Sequence, residues 1–145
     1  MKRWIPFVLL VILVTWSSHQ HGGPPIVDES EPIVDFAWLH NIHITFWGGD
    51  ISTETRGVNG LLRFIARKMM HFFYFGAIAL TALYAVRRYA LAFLITVLVA
   101  CFDEWHQSFV PGRGGMIQDV VLDSAGAFTM LVFFALIQRL RSRTT

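Results

Sequence analysis

The sequence predicts an all-α fold: a polytopic integral membrane bundle of four transmembrane helices, with a long outer loop carrying short interfacial helices. Three observations support this. Apolar residues make up 54% of the 145-residue chain and charged residues only 15%, less charge than a soluble domain of this size carries. The mean hydropathy is positive, at +0.52. The apolar residues also gather in four runs divided by polar or basic segments, as in a chain that crosses hydrocarbon repeatedly. Residues 1–145 are expected to form one domain. The net charge is only +2 and the basic residues form no stripe, so no nucleic-acid partner is expected. Cys101 is the only cysteine. It cannot form an internal disulfide and reads as a small core residue.

The first predicted span covers residues 4–18, around "WIPFVLLVILVTW". The run is short for a hydrocarbon core of about 30 Å, which takes about 20 residues. Trp4 and Trp16 suit the two interfaces, and Ser17 and Ser18 extend the helix. The segment therefore reads as a retained anchor, although Lys2, Arg3 and a mediocre "TWS" cleavage site leave a signal peptide open. Residues 19–68 form the outer loop. "HQHGGPP" and "EPIVD" contain turn-favouring Gly and Pro and predict irregular chain. "VDFAWLHNIHITFWGG" predicts an interfacial helix. "VNGLLRFIARKM" predicts an amphipathic lead-in with Leu61, Leu62 and Ile65 at helical spacing.

The second span is predicted over residues 69–86 and the third over 89–108, joined so briefly at Arg87 and Arg88 that the two must be antiparallel neighbours. The fourth is predicted over 120–138. Gly76, Ala77, Ala79 and Ala82 on the second span, and Ser124, Ala125 and Gly126 on the fourth, would permit close helix packing. Basic residues set the orientation. Lys2, Arg3, Arg87, Arg88, Arg139, Arg141 and Arg143 lie on short segments at one side, while the opposite side has Arg56, Arg63, Arg67, Lys68 and Arg113. This predicts a multi-pass protein of the cell membrane with both termini cytoplasmic.

A polar band interrupts this pattern at the outer ends of three spans. If the third span enters at Tyr89, Asp103 lies about 21 Å along it, at 1.5 Å per residue. That is about 9 Å short of the far boundary of the core. Asp103, His106 and Gln107 stand at i, i+3 and i+4 on one face, while Glu104 is turned about 100° away. Lys68 and His71 on the second span, and Asp119 and Asp123 on the fourth, fall at a similar depth. Charge in hydrocarbon costs about 2.5 to 3.5 kcal/mol per residue on insertion scales, so these carboxylates need partners. Arg67, Lys68, Arg113, and His71 or His106 if protonated, are the candidates. The expected result is a polar cavity opening to the outer leaflet. In "VPGR", Pro111 and Gly112 suit a tight turn, Gly114 and Gly115 allow the chain to fold back, and the Arg113 guanidinium fork matches phosphate or carboxylate.

The same residues resemble the VanZ-like family along the whole chain. "TWSSHQ" is similar to that family's Ser-rich motif at the end of the first span, and "RKMMHFFYF" resembles its Asp-Lys-x-x-His-Phe-x-x-Tyr-like stretch. "DEWHQSFVPGRGGMIQDVVLDSAGA" is similar to its central Asp-Glu-x-x-Gln-x-Phe-x-x-x-Arg and Asp-x-x-x-Asn-x-x-Gly signature. The positions that match are Lys68, His71, Asp103, Glu104, Gln107, Arg113, Asp119 and Gly126. Two depart: Arg67 stands where the pattern often has an acid, and Asp123 where it usually has Asn. The resemblance implies a four-span membrane protein, with a founding member linked to resistance to the lipoglycopeptide teicoplanin. It implies no established reaction.

Three functions are open to such a chain. It could recognise a cell-envelope amphiphile, a lipid-linked cell-wall precursor or a lipoglycopeptide, with Lys68, His71, Asp103, Glu104, Gln107, Arg113, Asp119 and Asp123 as ligand-binding residues. It could be an intramembrane hydrolase or transferase with Asp103 and Glu104 as acid and base and His71 as a further catalytic candidate. Or the band could be a hydrogen-bonded plug, Asp119 being a helix cap. Membrane lipids are expected partners. The histidine pairs in "HQH" and "HNIH", with His71 and His106, match no metal-ligand motif; no metal is assigned, and cofactor and oligomeric state stay undetermined.

Overall fold

The computed structural model describes residues 2–19, 45–46, 49–50, 53–110 and 115–144. A short turn of helix at Lys2–Trp4 leads into α1 (Ile5–His19). A two-residue antiparallel pair follows, β1 (Thr45–Phe46) with β2 (Gly49–Asp50). Three long helices complete the chain: α2 (Thr53–Val86), α3 (Tyr89–Gln107) and α4 (Ile117–Thr144). Two compact units are present, Met1–His21 with Met70–Thr145, and Gly22–Met69.

The fold is helical, as expected, and α2, α3 and α4 are each long and apolar enough to cross a membrane. α1 has 15 residues, about 23 Å of helix, short of a 30 Å core. α2 is longer than the span expected at 69–86. The lead-in is helical and runs into it without a break, giving about 51 Å of helix over 34 residues. No Pro interrupts residues 53–86, and Ala and Leu, two good helix formers, recur along them, so no proline stops the helix. The buried face of the lead-in is Val58 and Leu61, while Ile65 is exposed, which corrects the expected Leu61–Leu62–Ile65 face. Of the helix expected in "VDFAWLHNIHITFWGG", only Thr45, Phe46 and Gly49 are described, and they are extended. β-branched and aromatic residues beside Gly48 and Gly49 suit a hairpin better than a helix.

In the first unit the helices pack through small residues. Ala79, Ala82 and Leu83 of α2 meet Ala92 of α3 and Ala127 and Leu131 of α4 in one buried cluster. Val14 of α1, Phe75 and Ile78 of α2, and Ala100 of α3 form a second. Where α2 and α4 are closest, a Cβ on Gly126 would overlap the Phe72 carbonyl oxygen, and one on Gly76 would press on the Met130 side chain. Close helix approach through Gly76 and Gly126 was expected from the sequence, and the reason is that lipid offers no hydrophobic drive, so backbone proximity and dispersion hold such helices together. Buried Thr96 satisfies its hydroxyl within its own helix by donating to the Ala92 carbonyl at 2.9 Å.

Large apolar side chains cover the outer faces: Leu94, Leu98, Phe102, Phe128, Phe133 and Leu136 are all exposed. In water this would be a liability; in hydrocarbon it is the lipid-facing surface. Cys101, expected in the core, lies on this exposed side, one position from buried Ala100. Phe102, Trp105 and Phe109 form an aromatic ladder up the last turns of α3, with ring centroids 5.7 and 5.2 Å apart. Such rings favour the membrane–water boundary.

Candidate functional site

α3 ends at Gln107, and its last two turns hold two buried acids. Asp103 is 1% exposed and Glu104 4%. Asp103 faces α1. Its Oδ2 accepts hydrogen bonds from the Ser18 hydroxyl at 3.0 Å and from the Gln107 amide at 2.7 Å. The pairing of Asp103 with Gln107 is the i, i+4 relation expected from their shared face.

Glu104 lies on another flank of α3 than Asp103, as the 100° displacement suggests, but it stays within the cluster, because the chain entering α4 lies close there. The Met116 backbone N–H donates to Glu104 Oε2 at 2.9 Å, and a Cβ at Gly115 would overlap the Glu104 carbonyl oxygen. The absence of that atom lets the chain fold back against α3, as Gly115 suggested. Both faces of the α3 end are therefore covered by protein.

Two further side chains complete the cluster. His71 of α2 stacks on Phe75, one turn below, with ring centroids 6.2 Å apart and planes at 17°. Its Nδ1 lies 3.6 Å from Oδ2 of Asp123 on α4, too long for a hydrogen bond but close enough for the pair to attract. Asp123 is fully buried. A nitrogen of His71 and one carboxylate oxygen each of Asp103 and Glu104 lie within 4.8 Å of one another. All four helices of the first unit thus contribute: Ser18, His71, Asp103 with Glu104, and Asp123.

The cluster is rich in acceptors. Asp103 Oδ1, Glu104 Oε1 and both oxygens of Asp123 are buried without a hydrogen-bond partner among the described residues. A buried carboxylate in that state must take up a proton, a cation or an external donor, because its desolvation is otherwise uncompensated.

The remaining sequence-predicted residues fall as follows. Gln107 is buried and holds Asp103. Asp119 is half-buried in the first turn of α4. It stands two residues inside the helix rather than at the cap position, where the macrodipole still favours its charge. His106 is half-buried on α3. Lys68 and Arg67 belong to the other unit, where both flank the Phe64 ring, with the ammonium 5.3 Å and the guanidinium 6.0 Å from its centroid. Pro111, Gly112, Arg113 and Gly114 lie outside the described residues. Ser18 was not among the predicted site residues. Its signal was the Ser-rich "TWSSHQ" at the end of the first helix, a hydroxyl pair on the last turn of an apolar run.

A family model described as VanZ/LLP1 matches residues 4–138. No curated protein and no solved structure matches the chain.

Proposed function

The chain belongs to the VanZ/LLP1 family, and we propose that it recognises a cell-envelope amphiphile, a lipid-linked cell-wall precursor or a lipoglycopeptide, contributing to teicoplanin resistance. The observation that carries this reading is the set of buried carboxylate oxygens of Asp103, Glu104 and Asp123 that have no hydrogen-bond donor among the described residues. The headgroups of such amphiphiles are dense in hydroxyl, amide and ammonium donors, which match an acceptor-rich cluster. Their acyl or prenyl tails match the apolar outer faces of α3 and α4. In this reading α1 completes a four-span bundle with both termini in the cytoplasm, and the cluster faces the outer leaflet, where these molecules reside.

The test is teicoplanin susceptibility of a sensitive host expressing the protein. Asp103→Ala, Glu104→Ala and Arg113→Ala, at protein levels equal to wild type, are each expected to abolish the protection. Unchanged protection in all three would end the reading.

A second reading has its own support. His71 beside buried Asp123 is a histidine with a carboxylate to orient it, next to two further acids. This is an arrangement suited to acid–base chemistry on a lipid-linked substrate, with Asp103 and Glu104 as acid and base. Purified protein that leaves labelled lipid precursors and phospholipids intact over long incubation would count against an intramembrane hydrolase or transferase.

A further inference from the structure

We propose that His71, Asp103 and Glu104 form a binding site for a divalent transition-metal cation of the zinc or manganese type, with Asp123 as the residue that positions His71. This goes beyond amphiphile recognition and does not depend on it. One potential ligand atom from each of the three residues lies within 4.8 Å of the other two. Ligand atoms about 2.0–2.2 Å from a common ion stand about 3.3 Å apart in a tetrahedral site. Closing the widest pair by about 1.5 Å is within reach of side-chain rotation among neighbouring rotamers.

The way each carboxylate is held points to the same conclusion. Ser18 and Gln107 both donate to Oδ2 of Asp103, and Oδ1 is left buried and without a partner. The Met116 N–H donates to Oε2 of Glu104, and Oε1 is left in the same state. One oxygen of each acid is thus fixed by the scaffold while the other has no donor among the described residues. That is how ligating carboxylates are oriented around an ion. His71 is steered by charge rather than by a hydrogen bond, since Asp123 lies 3.6 Å from Nδ1. With its proton on Nδ1, the side nearest Asp123, Nε2 would be the ligand nitrogen. A dication would balance the charges of Asp103 and Glu104, which hydrocarbon on its own would penalise. Three protein ligands leave a position of a tetrahedral site open to water or an incoming group. One imidazole and two carboxylates suit zinc or manganese better than copper(I), which prefers sulfur.

The experiment uses full-length protein in detergent micelles, with an affinity tag free of histidine. The protein is stripped with a chelator and then equilibrated with Zn2+ or, separately, Co2+. Wild type is expected to retain about one equivalent per chain by elemental analysis, and its Co2+ form to show the intense visible bands of a four- or five-coordinate ion. Asp103→Asn and Glu104→Gln keep the acceptors for Ser18, Gln107 and Met116, and each should lower affinity at least about tenfold. Asp123→Asn should lower it by about 10- to 100-fold while leaving the three ligands in place. A structural role alone would not shift the Co2+ bands. The proposal is overturned if wild type binds no ion above a detergent blank, or if its Co2+ spectrum is the weak one of a six-coordinate aqua ion. It is equally overturned if folded Asp103→Asn and Glu104→Gln keep the full equivalent, which would place the ion elsewhere, as at the "HQH" histidines. Should any variant fail to fold, the wild-type spectrum decides.

Discussion

Asp103 is the residue on which the cluster turns, because its carboxylate accepts hydrogen bonds both from α1 and from its own helix, α3. Removing the Ser18 hydroxyl leaves Oδ2 with Gln107 alone. Hydrogen bonds to charged acceptors contribute about 1.5–3 kcal/mol, so Ser18→Ala is expected to lower the thermal unfolding midpoint in micelles clearly below wild type. A midpoint within error of wild type would mean the bond contributes nothing. Gly126 offers a second check. Its missing Cβ faces the Phe72 backbone, which cannot move aside, whereas Gly76 faces mainly the flexible Met130 side chain. Gly126→Ala should therefore destabilise by about 1–3 kcal/mol, as overpacking does, and Gly76→Ala by less. The reverse order in chemical-denaturation midpoints would refute the contact. At this scale the acids were legible in the sequence, since charge at the end of an apolar run demands a reason. The direction of Glu104 was not, because spacing along one helix says nothing of what a neighbouring segment brings to its other flank.

Among the elements, the α2–α3 junction has a specific strain. Arg87 adopts φ 57°, the one non-glycine positive φ among the described residues, and its N–H still closes a bond to the Leu83 carbonyl at 2.8 Å. A left-handed residue with a Cβ costs about 1–2 kcal/mol, which glycine avoids. Arg87→Gly is accordingly expected to raise the unfolding midpoint, offset in part by the greater freedom of glycine in the unfolded chain. A lowered midpoint would show that the Arg87 side chain contributes more than its backbone costs. The tight turn itself was readable from two arginines between apolar runs. The extent of α2 was readable only in part: the lead-in had helical spacing, but its start at Thr53 and its unbroken run into the span were not legible, and no proline intervenes. Asp119 illustrates the same limit, since α4 begins at Ile117, three residues earlier than an Asp cap would place it.

For the whole molecule, the proposed topology makes opposite ends of the bundle accessible from opposite sides of the membrane. In a Cys101→Ser background, Ser142→Cys at the end of α4 should react with an impermeant thiol reagent only after cells are permeabilised, and Phe109→Cys beyond α3 should react in intact cells. The inverse labelling would reverse the orientation and remove the cluster from the outer leaflet. Composition, run length and the distribution of Arg and Lys sufficed for the helical class, the apolar helices and the suspicion of a polar site, because these depend on one-dimensional sums: hydropathy per residue and charge per segment. Which acids come together was settled by tertiary packing alone. Ser18 and Asp103 are 85 residues apart, and His71 meets Asp123 across two helices. Their meeting depends on how closely glycine and alanine let the helices approach, a distance that no spacing along the chain encodes.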